Sequence, residues 1–230
     1  MLLKTIQIAI DGPSGAGKST MAKLISQKLG IMYLDTGAMY RALALKAIHQ
    51  NIDTKDSEKV SELLSDFNIS IKYENGSQKV YLNNEDVSDK IRTDEVSMGA
   101  SNVSAIPAVR KRLVELQQKM ASNTSVVMDG RDIGTHVLPN ADVKIFLTAS
   151  VAQRALRRYN EQKEKGILKK SLKEIEKEIE IRDYNDSHRD ASPLKQADDA
   201  VLLDTSNYSI EESVGKILEI IRSKGLLNAL

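Results

Sequence analysis

The chain has 230 residues, 41% of them hydrophobic and 28% charged, a length that suits one domain with insertions, or a domain and a half. It contains no cysteine, which excludes a disulfide framework and thiolate chemistry. Thirty-three basic residues face thirty-two acidic ones, a formal net charge of +1 that gives no push toward nucleic acid or a membrane surface.

The opening MLLKTIQIAI is interrupted by Asp11 and Gly12 too early for a signal peptide. No window approaches the roughly eighteen apolar residues of a bilayer span. A cytoplasmic protein without membrane or nucleic-acid partners is therefore expected, and a monomer. Residues 5–10 read as a buried strand, and 18–29 as a helix closed by Gly30. A short strand at 31–34 and a helix from about 37 to 49 follow, then a further helix near 56–66. The period then switches to two, ISIKY and QKVYLN around the turn ENGS, and an Asn-Gly turn between alternating runs signals a hairpin. This antiparallel piece, about 68–90, reads as an insertion in an α/β chain.

Helical pattern resumes at Asp94, and Pro107 is placed to open a new helix. Strands are expected at 125–128, 143–147 and 200–203. Ser150 with Gln153, Ser171 with Glu174, and Ser209 with Glu212 have capping-box spacing. Strands separated by helices imply a parallel sheet with right-handed crossovers. The Lys/Glu-rich stretch 161–180 is low in complexity but helical in period, and 163–180 reads as a solvated helical hairpin laced with Glu–Lys pairs.

Gly12-Pro13-Ser14-Gly15-Ala16-Gly17-Lys18-Ser19, followed by Thr20, matches G-x-x-x-x-G-K-[ST] with a strand before and a helix after. The glycines let backbone N–H groups converge on an anion, and the helix N-terminus adds its positive end. Lys18 has the reach for the β- and γ-phosphates of a nucleoside triphosphate, expected to be ATP, and the Ser19 hydroxyl suits magnesium. In LDTGAMYR, Thr36 and Gly37 open a helix presenting Tyr40 and Arg41, whose guanidinium is a fork for an oxyanion. In VVMDGRDIGT, Asp129 stands at a strand's carboxyl end, where magnesium-organising carboxylates lie, and Arg131 and Asp132 occupy the following loop.

Arg154, Arg157 and Arg158 share one helical face, as do Arg182, Asp186 and Arg189. Two such faces, bracketing an EKG turn at 164–166, are suited to close over phosphates. His49, His136 and His188 have no metal spacing.

GPSGAGKST, LDTGAMYR, SNVSAIPAVR, DGRDIGT and IRDYNDSHRDASPL together resemble bacterial cytidylate kinase, in order and through essentially the whole chain. The DGRDIGT loop and the hairpin insertion are the specific part; Thr36 stands where many relatives carry serine and keeps the hydroxyl. The resemblance implies an α/β P-loop kinase: a five-stranded parallel sheet flanked by helices, a small antiparallel hairpin insertion and a helical lid. Residues 1–36, 91–149 and 191–230 would form the core, 37–90 a monophosphate-binding part, and 150–190 the lid.

It also implies transfer of the ATP γ-phosphoryl group to CMP or dCMP, with magnesium. The catalytic set would be Lys18, Asp129, Arg131, Arg158 and Arg182. ATP would be held by Gly12–Thr20 and Arg157, with its base near residues 204–207. Arg41 and Arg131 would hold the acceptor phosphate, beside Thr36 and Tyr40. Ser101, Arg110 and Asp132 would read the cytosine, and Arg182 and Asp186 the sugar. The rivals are a kinase for UMP or a small alcohol, and a nucleotide-dependent switch or binding module; a guanine-reading N-K-x-D does not occur.

Overall fold

The structure is a computed structural model that describes residues 5–74 and 77–226. The chain divides into two compact units, Met1–Tyr33 with Asn123–Leu230, and Leu34–Ser122.

The first unit is built on a five-stranded parallel sheet in the order β2-β6-β1-β7-β8. Its strands are β1 (Gln7–Asp11), β2 (Met32–Asp35), β6 (Val126–Gly130), β7 (Val143–Thr148) and β8 (Val201–Asp204), with the unit boundary falling inside β2. Central β1 pairs in parallel with β6 and β7, opposing Asp11 to Gly130 and to Phe146. Ile8, Ala9 and Ile10 are fully buried, as a strand covered on both faces requires.

Two helices supply part of that cover: α1 (Lys18–Leu29) with Met21, Ala22 and Ile25, and α8 (Ile210–Ser223) with Val214, Ile217 and Ile221. Each aliphatic side chain buried this way contributes about 1.5–3 kcal/mol. Helices α6 (Val151–Glu164) and α7 (Leu172–His188) pack through a small core of their own around Ala155, Ile175 and Ile179.

The second unit surrounds α2 (Thr36–His49), in which Ala38, Met39, Ala42, Leu43, Ala44 and Ala47 are all inaccessible. A helix apolar on nearly every side is a core helix. It is covered by α4 (Asp94–Ser104) and α5 (Pro107–Ala121), and the short α3 (Ser57–Glu62) adds Val60 to the same core. The insertion is a three-stranded antiparallel sheet of β3 (Ile69–Glu74), β4 (Ser77–Leu82) and β5 (Glu85–Asp86). Ile69 and Val80 tie it to the core cluster of α2. The Asn-Gly turn expected between β3 and β4 lies outside the described residues. Helices α4 and α5, grouped in the sequence with the core, cluster with α2 in this unit.

Two expectations need correction. The helix near 56–66 is α3 followed by a 3-10 turn, Leu63–Asp66. Ser171–Glu174 and Ser209–Glu212 form complete capping boxes, but at Ser150 only half of one forms: its hydroxyl accepts from the Gln153 N–H, while its own N–H donates to Ser206 Oγ at 2.8 Å. A tertiary partner has taken the donor that Gln153 would have capped. Among the described residues, no helix is long and apolar enough to cross a membrane.

Candidate active site

In the first unit, the turn Gly12–Gly17 leads from β1 into α1, and its first glycine is compulsory. Gly12 has φ +150°, and a Cβ there would lie 1.9 Å from the Leu147 carbonyl oxygen. Lys18 begins α1 and is buried; its ammonium donates to the Pro13 carbonyl at 2.6 Å. Burial first, and then repulsion from Arg131, hold this ammonium well below the usual lysine range, with Asp129 pulling the other way.

Ser19 donates from Oγ to Asp129 Oδ2 at 2.9 Å, and the Tyr33 hydroxyl donates to Oδ1 at 2.8 Å. These are oxygen groups only, the donor set that suits a hard divalent cation.

Arg131, directly after β6, donates from Nε to Asp186 Oδ2 on α7 at 2.8 Å. Burial opposes the arginine's charge, yet Asp186 and Asp129 together outweigh it and raise its pKa. Burial likewise opposes the Asp186 carboxylate, which Arg131, Arg182 and Arg189 hold below the ordinary carboxylate range. Lys18, Asp129, Arg131, Arg182 and Asp186 thus form one electrostatic cluster. Asp132 follows, buried, with Arg189 at 3.9 Å.

The three arginines of α6 divide their work. Arg154 is committed to the protein: Nε donates to the Ala149 carbonyl at 2.9 Å and Nη1 to the Ser14 carbonyl at 2.8 Å, with Asp183 at 2.6 Å. It ties α6 to the Gly12–Gly17 turn through the protein's own carbonyls and a carboxylate, contacts that the helical spacing did not show. Asp183 completes that tie by accepting the Ser14 N–H at 3.3 Å. Arg157 donates to Thr205, at 2.6 Å to the carbonyl and 3.3 Å to the hydroxyl, so two groups expected on the ATP side lie together. Arg158 and Arg182 are half-buried on α6 and α7.

In the second unit, Asp35 caps α2, accepting the Ala38 N–H at 3.0 Å and an Arg41 Nη2 hydrogen bond at 2.7 Å. Burial pushes its carboxyl up, but Arg41, Arg92 and the cap hydrogen bond outweigh burial and lower its pKa. Gln78 of β4 accepts the Asp35 backbone N–H at 3.1 Å, so the inserted sheet reaches this helix start. Thr36 is buried at the first position of α2. Further along, the Arg110 guanidinium lies 5.5 Å from the centre of the Tyr40 ring, and Nη1 donates to the Ser104 carbonyl at 3.1 Å. The Ser104 hydroxyl donates in turn to the Ser101 carbonyl at 2.8 Å.

Sequence reasoning missed Asp11, Tyr33, Asp35, Gln78 and Asp183. For Asp11 and Asp35 a signal existed: each is an acidic residue ending a run of apolar strand positions, QIAID and MYLD, where a carboxylate needs dedicated partners.

The sequence profile described as cytidylate kinase matches residues 8–223. This chain belongs to the cytidylate kinase family. It is 56% identical to a cytidylate kinase of Lactobacillus johnsonii over 219 residues, covering 95% of both chains. It is 52% identical to a cytidylate kinase of Caldicellulosiruptor bescii over 218 residues, 95% of this chain and 96% of that one. A shikimate kinase from Bacteroides thetaiotaomicron has the same fold, with TM-score 0.50 at 14% identity over 94% of this chain and 98% of that one. So does an uncharacterized protein from Eubacterium ventriosum, with TM-score 0.51 at 15% identity over 96% of this chain and 99% of that one. At such identities only the fold is shared.

Proposed function

We propose that this member of the cytidylate kinase family transfers the γ-phosphoryl group of ATP to CMP or dCMP, giving CDP or dCDP. The observation that carries this reading is the strand–turn–helix with buried Lys18 and the Ser19–Asp129 pair, in a chain of that family. The acceptor phosphate is already a nucleophile, so the protein's task is alignment and charge neutralisation. Residues 12–20 hold the β- and γ-phosphates through backbone N–H groups, and Lys18 exchanges the Pro13 carbonyl for a phosphate oxygen. That exchange relieves its charge, because an anion offsets both the burial and the repulsion from Arg131. Ser19, with Asp129 beside it, would hold magnesium, which would supply positive charge against the phosphates.

Arg41 and Arg131 hold the acceptor phosphate, next to Thr36 and Tyr40. Ser101, Arg110 and Asp132 read the cytosine, while Arg182 and Asp186 contact the sugar. Arg131, Arg158 and Arg182 stabilise the transferring group, and Arg157 holds ATP near Thr205. Functionally the chain then has three parts: a core, a monophosphate-binding part at 37–90 and a lid at 150–190. The test is ADP formation with CMP, dCMP, UMP, AMP and dTMP as acceptors. Turnover confined to CMP and dCMP is expected; equal use of UMP, or ATP hydrolysis without an acceptor, would overturn the assignment.

A further inference from the structure

Asp11 lies outside the phosphate-binding signature and has no role in the reaction described above. It ends β1, is only 5% exposed, and is held in register between Gly130 of β6 and Phe146 of β7. Its two carboxylate oxygens accept from two successive backbone amides of the opposite loop: Oδ1 from the Ile133 N–H and Oδ2 from the Gly134 N–H, each at 2.7 Å. Both distances are at the short end, as charge-assisted hydrogen bonds are.

Those amides open a single π turn, Ile133–Val137, and the residue at its cap position is Asp132. Asp132 does not cap the turn with its own side chain. Asp11 accepts from these two amides from another strand, across 122 and 123 residues of chain. Gly134 permits the approach: a Cβ there would lie 3.3 Å from Asp11 Oδ2 and 3.1 Å from Lys144 Cδ.

We propose that Asp11 is a positioning residue for the acceptor: by clamping the backbone of 133–134 it aims Arg131 and Asp132, while its own position is set by the strand that starts the ATP turn. This rests on the reading that Arg131 and Asp132 contact CMP. An ordinary buried carboxylate could instead be kept for stability, and the two roles separate cleanly. Burial raises the Asp11 pKa to about 6, opposed by the two amides and by Lys18 and reinforced by Asp132. A carboxylate whose burial is this unfavourable is a poor device for stability alone.

The test compares steady-state constants for Asp11→Asn, which keeps the shape but turns an amide N–H₂ toward one of the loop N–H groups. KM for CMP should rise about 10-fold or more, the usual effect of losing a hydrogen bond to a charged group, with KM for ATP within about twofold of the native value. Gly134→Ala probes the same contact from the loop side and should produce the same split even if Asp11→Asn fails to fold. A parallel rise in both KM values, or no rise for CMP in either variant, overturns the proposal. Arg131→Met and Asp132→Ala are measured alongside. If they leave KM for CMP unchanged, the acceptor reading has failed; if they raise it and the Asp11 and Gly134 variants do not, only the positioning role has failed.

Discussion

Lys18 and Arg41 are both cations set near the start of a helix that follows a strand, yet the two units store them in opposite ways. Lys18 rests against a neutral carbonyl, buried, and its pKa is driven down. Arg41 rests against the Asp35 carboxylate, which also caps its helix, and there the pair drives the carboxyl pKa down. One charge is held at a cost to the fold; the other is already neutralised by it. On the proposed function, an arriving phosphate would relieve Lys18 but would have to share Arg41 with Asp35. Loss of Lys18 should strike the reaction and spare the fold, whereas loss of the Asp35 charge should strike the fold first.

The strongest way to break this comparison is Lys18→Ala. Turnover should fall about 10²–10³-fold, the roughly 3–4 kcal/mol of one preorganised contact to developing charge. Stability should move the other way. A lysine with a depressed native pKa binds fewer protons folded than unfolded, so it costs stability at neutral pH, and the cost fades as pH rises toward the ordinary lysine value of 10.5. The variant should therefore melt at or above the native Tm at pH 7, read by calorimetry beside the kinetic assay. Near-native turnover would remove Lys18 from the reaction. A variant that melts well below the native protein would show that Lys18 is stored favourably after all.

The next effect concerns base choice. Cytosine presents an exocyclic amine and an unprotonated ring nitrogen where uracil has a carbonyl and an N–H, so a carboxylate and an arginine together distinguish them. A site built on such hydrogen bonds rejects the wrong base by a factor on the order of 10⁴. Asp132→Ala combined with Arg110→Met should narrow the CMP-to-UMP ratio of kcat/KM by roughly 10²-fold, with ATP binding spared. An unchanged ratio would move base reading to other residues.

The same contrast explains what the sequence made legible. The Lys18 turn was readable because its spacing is itself the geometry: glycines, lysine and serine at fixed offsets between a strand and a helix. The inserted sheet was readable from its period of two, though β5, with two residues, is too short to carry a period. Arg41 was found from its helical offset, but its partner was not, since a cap and an ion pair on one carboxylate show only once the helix start is fixed. Arg154 fell on the expected face, yet spacing says nothing of what stands opposite, and Ser14 is 140 residues away. The π turn at Ile133–Val137 has no periodicity and depends on Asp11, more than a hundred residues earlier.

The smallest and most discriminating effect belongs to Asp35→Asn. Asparagine keeps an oxygen for the Ala38 N–H and caps helices as well as aspartate does, so what is lost is the charge opposite Arg41. The loss should be about 1.5 kcal/mol, the low end for a hydrogen bond to a charged group, because the Arg41 side chain keeps 17% exposure and can rehydrate. A carboxylate with a lowered native pKa contributes stability above its unfolded value of 3.8, and that contribution is lost as pH falls through the native one. The gap in stability between native protein and variant should thus be constant from pH 7 to 5 and close below about pH 4. A gap that does not narrow at all as pH falls below 3.8 would trace the loss to shape rather than charge. Kinetics then decide what the pair is for. If Asp35 only stores Arg41, the variant should bind CMP as well as the native protein or better, since phosphate no longer competes with a carboxylate. A raised KM for CMP would mean that Asp35 aims Arg41, and that the two units differ less than their resting contacts suggest.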